Sequence, residues 1–227
     1  MQPDPKTLLD VARIETPLIG FYDAPDPRQY EPYVSPPEGS RPCLFAYYRK
    51  WLAGNFLRLT SSQAGCGGAG YWICGQEGRP RPDFVRFLVD EEGLKASHEL
   101  MNQWLDACRP YPSEHESLFI GPLRESEYDH LKTITFLVNP DQLSLLMIGA
   151  QYHSAPGDPP PVLAPFGSGC SLLVAPFKDL TKPQASLGAT DIAMRQYLPP
   201  DVLAFTVTKP MFEDLCLLDE KSFLHKP

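Results

Sequence analysis

Thr133–Tyr152 reads TITFLVNPDQLSLLMIGAQY, and its two halves obey different periodicities. Thr133–Val138 is rich in β-branched and aromatic residues and predicts a strand. Asn139 follows as a candidate N-cap, with Pro140 at the first helical position, where a missing N–H costs nothing. Gln142–Tyr152 is accordingly predicted to be a helix. Outward from this unit, helical spacing marks Lys6–Ile14, Cys43–Gly54, Asp83–Leu88, Lys95–Cys108, Asp191–Tyr197 and Lys209–Leu218. Short apolar or β-rich runs mark strands at Pro17–Tyr22, Phe56–Thr60, Leu118–Leu123, Gln184–Ala189 and Val202–Thr208. Such uneven alternation predicts an α+β chain, a mixed β-sheet flanked by helices. Proline-rich stretches near 23–42 and 154–165 read as surface loops within one domain spanning 1–227.

The chain has 227 residues, which is enough for one sizeable core. Its 26 prolines are about twice the usual share and predict short elements joined by stiff loops. A net charge of −8 argues against a nucleic-acid surface, which needs clustered Lys and Arg. The N-terminus shows no secretory signal pattern and no window reaches the length of a membrane span, so a cytoplasmic setting is expected. In that setting the six cysteines are expected as free or metal-bound thiols rather than disulfides.

Leu59–Gly75, LTSSQAGCGGAGYWICG, draws attention to one place. Gly65, Gly67, Gly68 and Gly70 surround Cys66, and Cys74 follows in an apolar run. Glycine lets backbone amides approach a ligand. A fainter echo, Gly167–Cys170 (GSGC), also precedes an apolar run. It reads either as the trace of two related halves or as chance likeness between glycine turns.

Several phrases in order resemble an uncharacterised prokaryotic family, the domain of unknown function 169. They are ETPLIGFYD (Glu15–Asp23), a helix beginning at Cys43, GCGGAGYWICG (Gly65–Gly75), FLVNPDQLSLLMIGAQY (Phe136–Tyr152), GSGCSLL (Gly167–Leu173) and GATDIAMRQYLPPDVLAFTVTKP (Gly188–Pro210). The resemblance implies a single-domain protein without an established activity. It also implies cysteine positions at Cys43, Cys66 and Cys170, and a non-cysteine position at Cys74.

Three chemistries are open. In the first, Cys43, Cys66 and Cys170, with Cys74 or a non-protein group as fourth ligand, hold a metal centre such as an iron–sulfur cluster. No compact Cys-x-x-Cys spacing supports it, and the plain alternative is that these thiols are small buried hydrophobes. In the second, backbone amides of Gly65–Gly70, including Gly67 and Gly68, and of Gly167–Gly169 grip an anionic small molecule or cofactor. In the third, Cys66 or Cys170 is a nucleophile with a histidine base, His130 or His153 being the candidates among His98, His115, His130, His153 and His225. Asp191 and Arg195 lie four apart, which fits either a helical ion pair or an Arg195 that binds a ligand carboxylate or phosphate with Asp191 orienting its guanidinium. Tyr47, Tyr48, Trp51, Tyr71 and Trp72 read as core, with part of the group free to wall a pocket. The expected site lies where the start of the Cys43 helix, the Cys66 loop and the Cys170 loop converge, so the sulfurs of Cys43, Cys66 and Cys170 are predicted to be neighbours.

Overall fold

A computed structural model describes residues 4–75, 81–107, 110–165, 170, 173–174 and 176–226. Its centre is an eight-stranded mixed sheet in the order β2-β3-β4-β1-β5-β8-β7-β6. The strands are β1 (Ile19–Asp23), β2 (Tyr33–Val34), β3 (Phe56–Leu59), β4 (Leu118–Pro122), β5 (Leu131–Val138), β6 (Val162–Leu163), β7 (Ala185–Gly188) and β8 (Leu203–Thr208). The predicted α+β class with helices flanking a mixed sheet is what the chain adopts.

The connectivity repeats. β1 to β4 lie in the order β2-β3-β4-β1, and β5 to β8 in the order β6-β7-β8-β5. In each set the outermost pair is parallel and the next two pairings are antiparallel. β1 and β5 join the sets at the centre, antiparallel to one another. The edge strands β2 and β6 fall inside the proline-rich stretches expected to be plain loops, and each is two residues long. Their brevity and the prolines around them leave little free backbone for edge-to-edge pairing.

Residues alternate between the two faces of the sheet, as a strand's period of two requires. Phe136, Phe205, Val207, Phe119 and Tyr22 point to a core closed by α1 (Lys6–Ala12), α6 (Pro140–Ala150) and α8 (Lys209–Cys216). Ile19, Phe21, Leu57, Leu59 and Ile120 point the other way. That second core is closed by α2 (Tyr48–Leu52), α3 (Gly67–Trp72), α4 (Arg81–Arg86), α5 (His98–Ala107) and α7 (Ile192–Arg195). A π-helical turn, Phe87–Glu91, continues α4.

Local signals explain the best-formed element. The Asn139 side chain accepts from the Gln142 N–H at 3.0 Å, and the Gln142 side chain accepts from the Asn139 N–H at 3.0 Å. This reciprocal capping box satisfies two donors that a helix start otherwise leaves orphaned. Elsewhere close packing decides. The Phe56 ring lies over Gly121, where an added Cβ would come within 2.5 Å of it. The central strands can therefore carry an aromatic cluster at this point only because Gly121 has no side chain.

Two segments depart from the expectation. Cys43–Gly54 splits into a 3₁₀ turn, Leu44–Tyr47, and the short α2. Glycine-rich Gly65–Gly70 is a loop only at its start, because α3 begins at Gly67. Three glycines make that a poor helix intrinsically, and the burial of Ala69 and Trp72 holds it in place.

Candidate functional site

On the second face, turns and helices belonging to both strand sets enclose a cavity of about 310 Å³. Cys43, Cys66, Gly67, Gly68, Cys170 and Asp191 line it together. Each arrives from a turn leaving the sheet or leading into it. Cys43 precedes the 3₁₀ turn between β2 and β3, while Cys66 follows β3 as the N-cap of α3. Cys170 lies between β6 and β7, and Asp191 follows β7 as the N-cap of α7.

The expected echo between Gly65–Gly70 and Gly167–Cys170 is therefore misaligned. By connectivity the counterpart of Cys170 is Cys43, and the counterpart of Cys66 is Asp191. Gly167–Gly169 lie outside the described residues.

Gly65 brings Cys66 against the Cys43 segment. Its φ of +83° is a left-handed value, and a Cβ there would lie 2.8 Å from Leu44 Cδ2 and 3.0 Å from the Pro42 carbonyl. Only glycine meets both demands without strain. Cys66 and Cys170 then come within hydrogen-bonding reach of one another. That contact holds the Cys66 thiol below its ordinary range, because a thiol donor stabilises the thiolate beside it. Burial opposes the effect, while the N–H groups of Ala69 and Gly68 reinforce it, although the sulfur makes no regular cap to α3. Cys43 behaves oppositely. Burial pushes its thiol up to about 11, and the nearby negative charges of Cys66 and Asp191 add to the rise. One sulfur in the cavity is thus poised to ionise.

Cys74 sits at the far end of α3, outside the residues that line the cavity. Burial alone pushes its thiol up to about 12. Cys43, Cys66, Cys74, Cys170 and Cys216 are in no disulfide among the described residues.

The outer wall comes from a helical excursion between β3 and β4. Trp72, Phe84, Phe87, Leu88, Leu94 and Trp104 face the cavity, and Trp72 and Trp104 pack edge to face with centroids 4.8 Å apart. Of the aromatic residues singled out from sequence, Trp72 is the one that lines the cavity; Tyr48 and Trp51 are core. Helical periodicity at 83–108 revealed buried faces, but a period cannot say which cavity a face will close. α7 supplies Ala193 and Met194 and the turn after it Gln196 and Tyr197, while charge comes from Arg41, Glu92 and Asp191.

Arg195 has a structural task. Its guanidinium donates to the carbonyls of Ala189, Val202, Pro199 and Pro200. Asp191 begins α7 by accepting from the Ala193 N–H at 2.8 Å. The guanidinium thus clamps the turn that carries Asp191 into the cavity, including Ala189 at its unfavourable φ of +64°. Arg195→Lys keeps the charge but loses the fork. It is expected to cost about 2 kcal/mol, read as a lower thermal midpoint.

No histidine lines the cavity. His98 meets Asp90 at 2.8 Å, His115 meets Asp23 at 2.9 Å, and His225 meets the Leu218 carbonyl at 3.2 Å. The histidine candidates for a base therefore lie away from the cavity that holds Cys66 and Cys170.

The three cavity cysteines do not have the spacing of ligands to one tetrahedral ion. Tetrahedral zinc with sulfur at about 2.3 Å needs sulfurs roughly 3.8 Å apart. Among the described residues, the group of three potential ligand atoms within 4.8 Å of one another is Asp23, Glu114 and His115. That cluster has a plain structural account. Buried Asp23 accepts from the Tyr111 hydroxyl at 2.8 Å, the Glu114 N–H at 2.7 Å, and the N–H and ring of His115 at 3.0 and 2.9 Å. Both carboxylate oxygens are saturated in holding the 111–115 segment to β1.

Repeated four-stranded connectivity around a thiol-lined cavity defines the class: an α+β protein with its candidate site enclosed by turns and helices of two topologically equivalent strand sets. A family profile matches residues 8–217. The chain belongs to the DUF169 family, described as an uncharacterised ArCR. No curated protein and no solved structure matches it. Among the described residues no helix is long and apolar enough to cross a membrane.

Proposed function

We propose that this chain binds a small, largely apolar molecule in the cavity, with a soft or electrophilic centre of that molecule facing the Cys66 sulfur. The convergence of Cys66 and Cys170 with an aromatic wall on one cavity carries the reading. A volume of about 310 Å³ sits at the lower end of small-molecule sites, which span roughly 300–1,000 Å³. Trp72, Phe84, Phe87 and Trp104 supply flat apolar surface, while Cys66 supplies directional chemistry at one end. Arg41, Glu92 and Asp191 give the ligand polar partners at the rim.

Monobromobimane, a compact aromatic thiol reagent, is a suitable probe. At neutral pH Cys66 is expected to label at least roughly tenfold faster than Cys43, Cys74 or Cys216. The bimane should quench tryptophan fluorescence through Trp72 and Trp104. Equal labelling of all four, or fast labelling without quenching, would remove the support. A coloured, iron-containing sample from anaerobic purification would replace this reading with a cluster on Cys43, Cys66 and Cys170.

A further inference from the structure

We infer that Cys66 and Cys170 form a dithiol–disulfide couple, with Cys66 the attacking sulfur and Cys170 the resolving one, acting on a low-molecular-weight disulfide that carries an aromatic or apolar arm. The inference rests on the pocket reading above and adds to it a substrate class and a reaction.

Geometry assigns the two roles. The two cysteines line the same cavity and Cys170 hydrogen-bonds to the Cys66 sulfur, which is the neighbourhood that a bond of about 2.05 Å requires. Both cysteines line the cavity, but Cys66 is half-buried whereas Cys170 is only 4% exposed. An incoming disulfide therefore meets Cys66 first. Gly67 and Gly68 follow Cys66 directly, and the missing side chains leave room for that sulfur to swing between substrate and partner. Cys43 shares the cavity, but burial keeps it a thiol.

The electron count closes without a cofactor. The Cys66 thiolate attacks one sulfur of R–S–S–R, forming Cys66–S–S–R and releasing RS⁻, which takes a proton. Cys170 then loses its proton to solvent and attacks the Cys66 sulfur of the mixed disulfide, releasing the second RS⁻. The protein dithiol is oxidised by two electrons and the small disulfide is reduced to two thiols. The aromatic wall holds the R group, and the partner sulfur is already in place, so resolution is intramolecular and fast.

Dithiodipyridine, an uncharged aromatic disulfide, tests this on the full chain, followed by peptide mapping. The expected product in the unsubstituted protein is a Cys66–Cys170 disulfide with two thiopyridones released. Cys170→Ala should stop at the mixed disulfide on Cys66, with a lifetime roughly a hundredfold longer. Cys43→Ala should still form the cross-link. A stable mixed disulfide in the unsubstituted protein, or a bond between Cys66 and Cys43, would overturn the couple. Mapping of the unsubstituted protein decides the matter even where Cys170→Ala does not fold. Fast bimane labelling at Cys66 without any cross-link would leave the binding pocket standing and remove the couple alone.

Discussion

In the Cys170→Ala protein, alkylation of Cys66 at neutral pH is expected to slow by roughly 10- to 100-fold. A hydrogen bond to a charged acceptor is worth about 1.5–3 kcal/mol, and each 1.4 kcal/mol is one pKa unit. The Cys170 contact is the largest influence holding the Cys66 thiol down, and burial is the main one pushing it up. Removing the donor leaves burial less opposed, so the Cys66 pKa rises. The rate-versus-pH curve of iodoacetamide labelling should move bodily to higher pH. At alkaline pH, where both proteins carry the thiolate, the two rates should converge. A curve that stays in place would show that Cys170 does not activate Cys66. A rate that stays low even at alkaline pH would point to a distorted pocket instead.

Asp23→Ala should lower stability by about 3 kcal/mol, because it strands the Tyr111 hydroxyl and the N–H groups of Glu114 and His115 after removing a buried, fully bonded acceptor. For a chain of this size that corresponds to a fall of about 6–12 °C in the thermal midpoint, measured by calorimetry. The loss should reach the candidate site. The Tyr111 N–H donates to the Trp72 carbonyl at 2.9 Å, and its ring packs edge to face on Phe21 at 5.4 Å. Releasing Tyr111 loosens the end of α3, and the selectivity of bimane for Cys66 should narrow with it. A midpoint shift below about 2 °C would contradict the account of Asp23 as the anchor of the 111–115 segment.

What the sequence revealed followed from how local each determinant is. Asn139, Pro140 and Gln142 determine the start of α6 among themselves, and that start was readable. β2 and β6 were not, since Tyr33–Val34 and Val162–Leu163 become strands only through parallel partners distant in the chain. The three cavity cysteines were named through family resemblance and turn positions, and all three line one cavity. Arg195 was read as an ion-pair or ligand residue, because four backbone carbonyls converging on one guanidinium leave no trace in residue spacing. Asp23 went unnoticed as an anchor for a related reason. Its partners are a hydroxyl and backbone amides some ninety residues away, and no motif encodes them.

The repeated connectivity has a further consequence for how such a site diversifies. At equivalent turns one strand set carries a soft sulfur, Cys66, and the other a hard carboxylate, Asp191. One chain thereby achieves what a symmetric dimer of identical subunits cannot, two different functional groups at corresponding positions. The long helical excursion belongs to one set only, between β3 and β4, while β7 and β8 are bridged by little more than α7. On the proposed reading, ligand choice changes through the residues of that excursion while Cys66 and Cys170 stay as they are. Family members should accordingly differ most in the stretch between Trp72 and Tyr111, and least in the turns that hold Cys66 and Cys170.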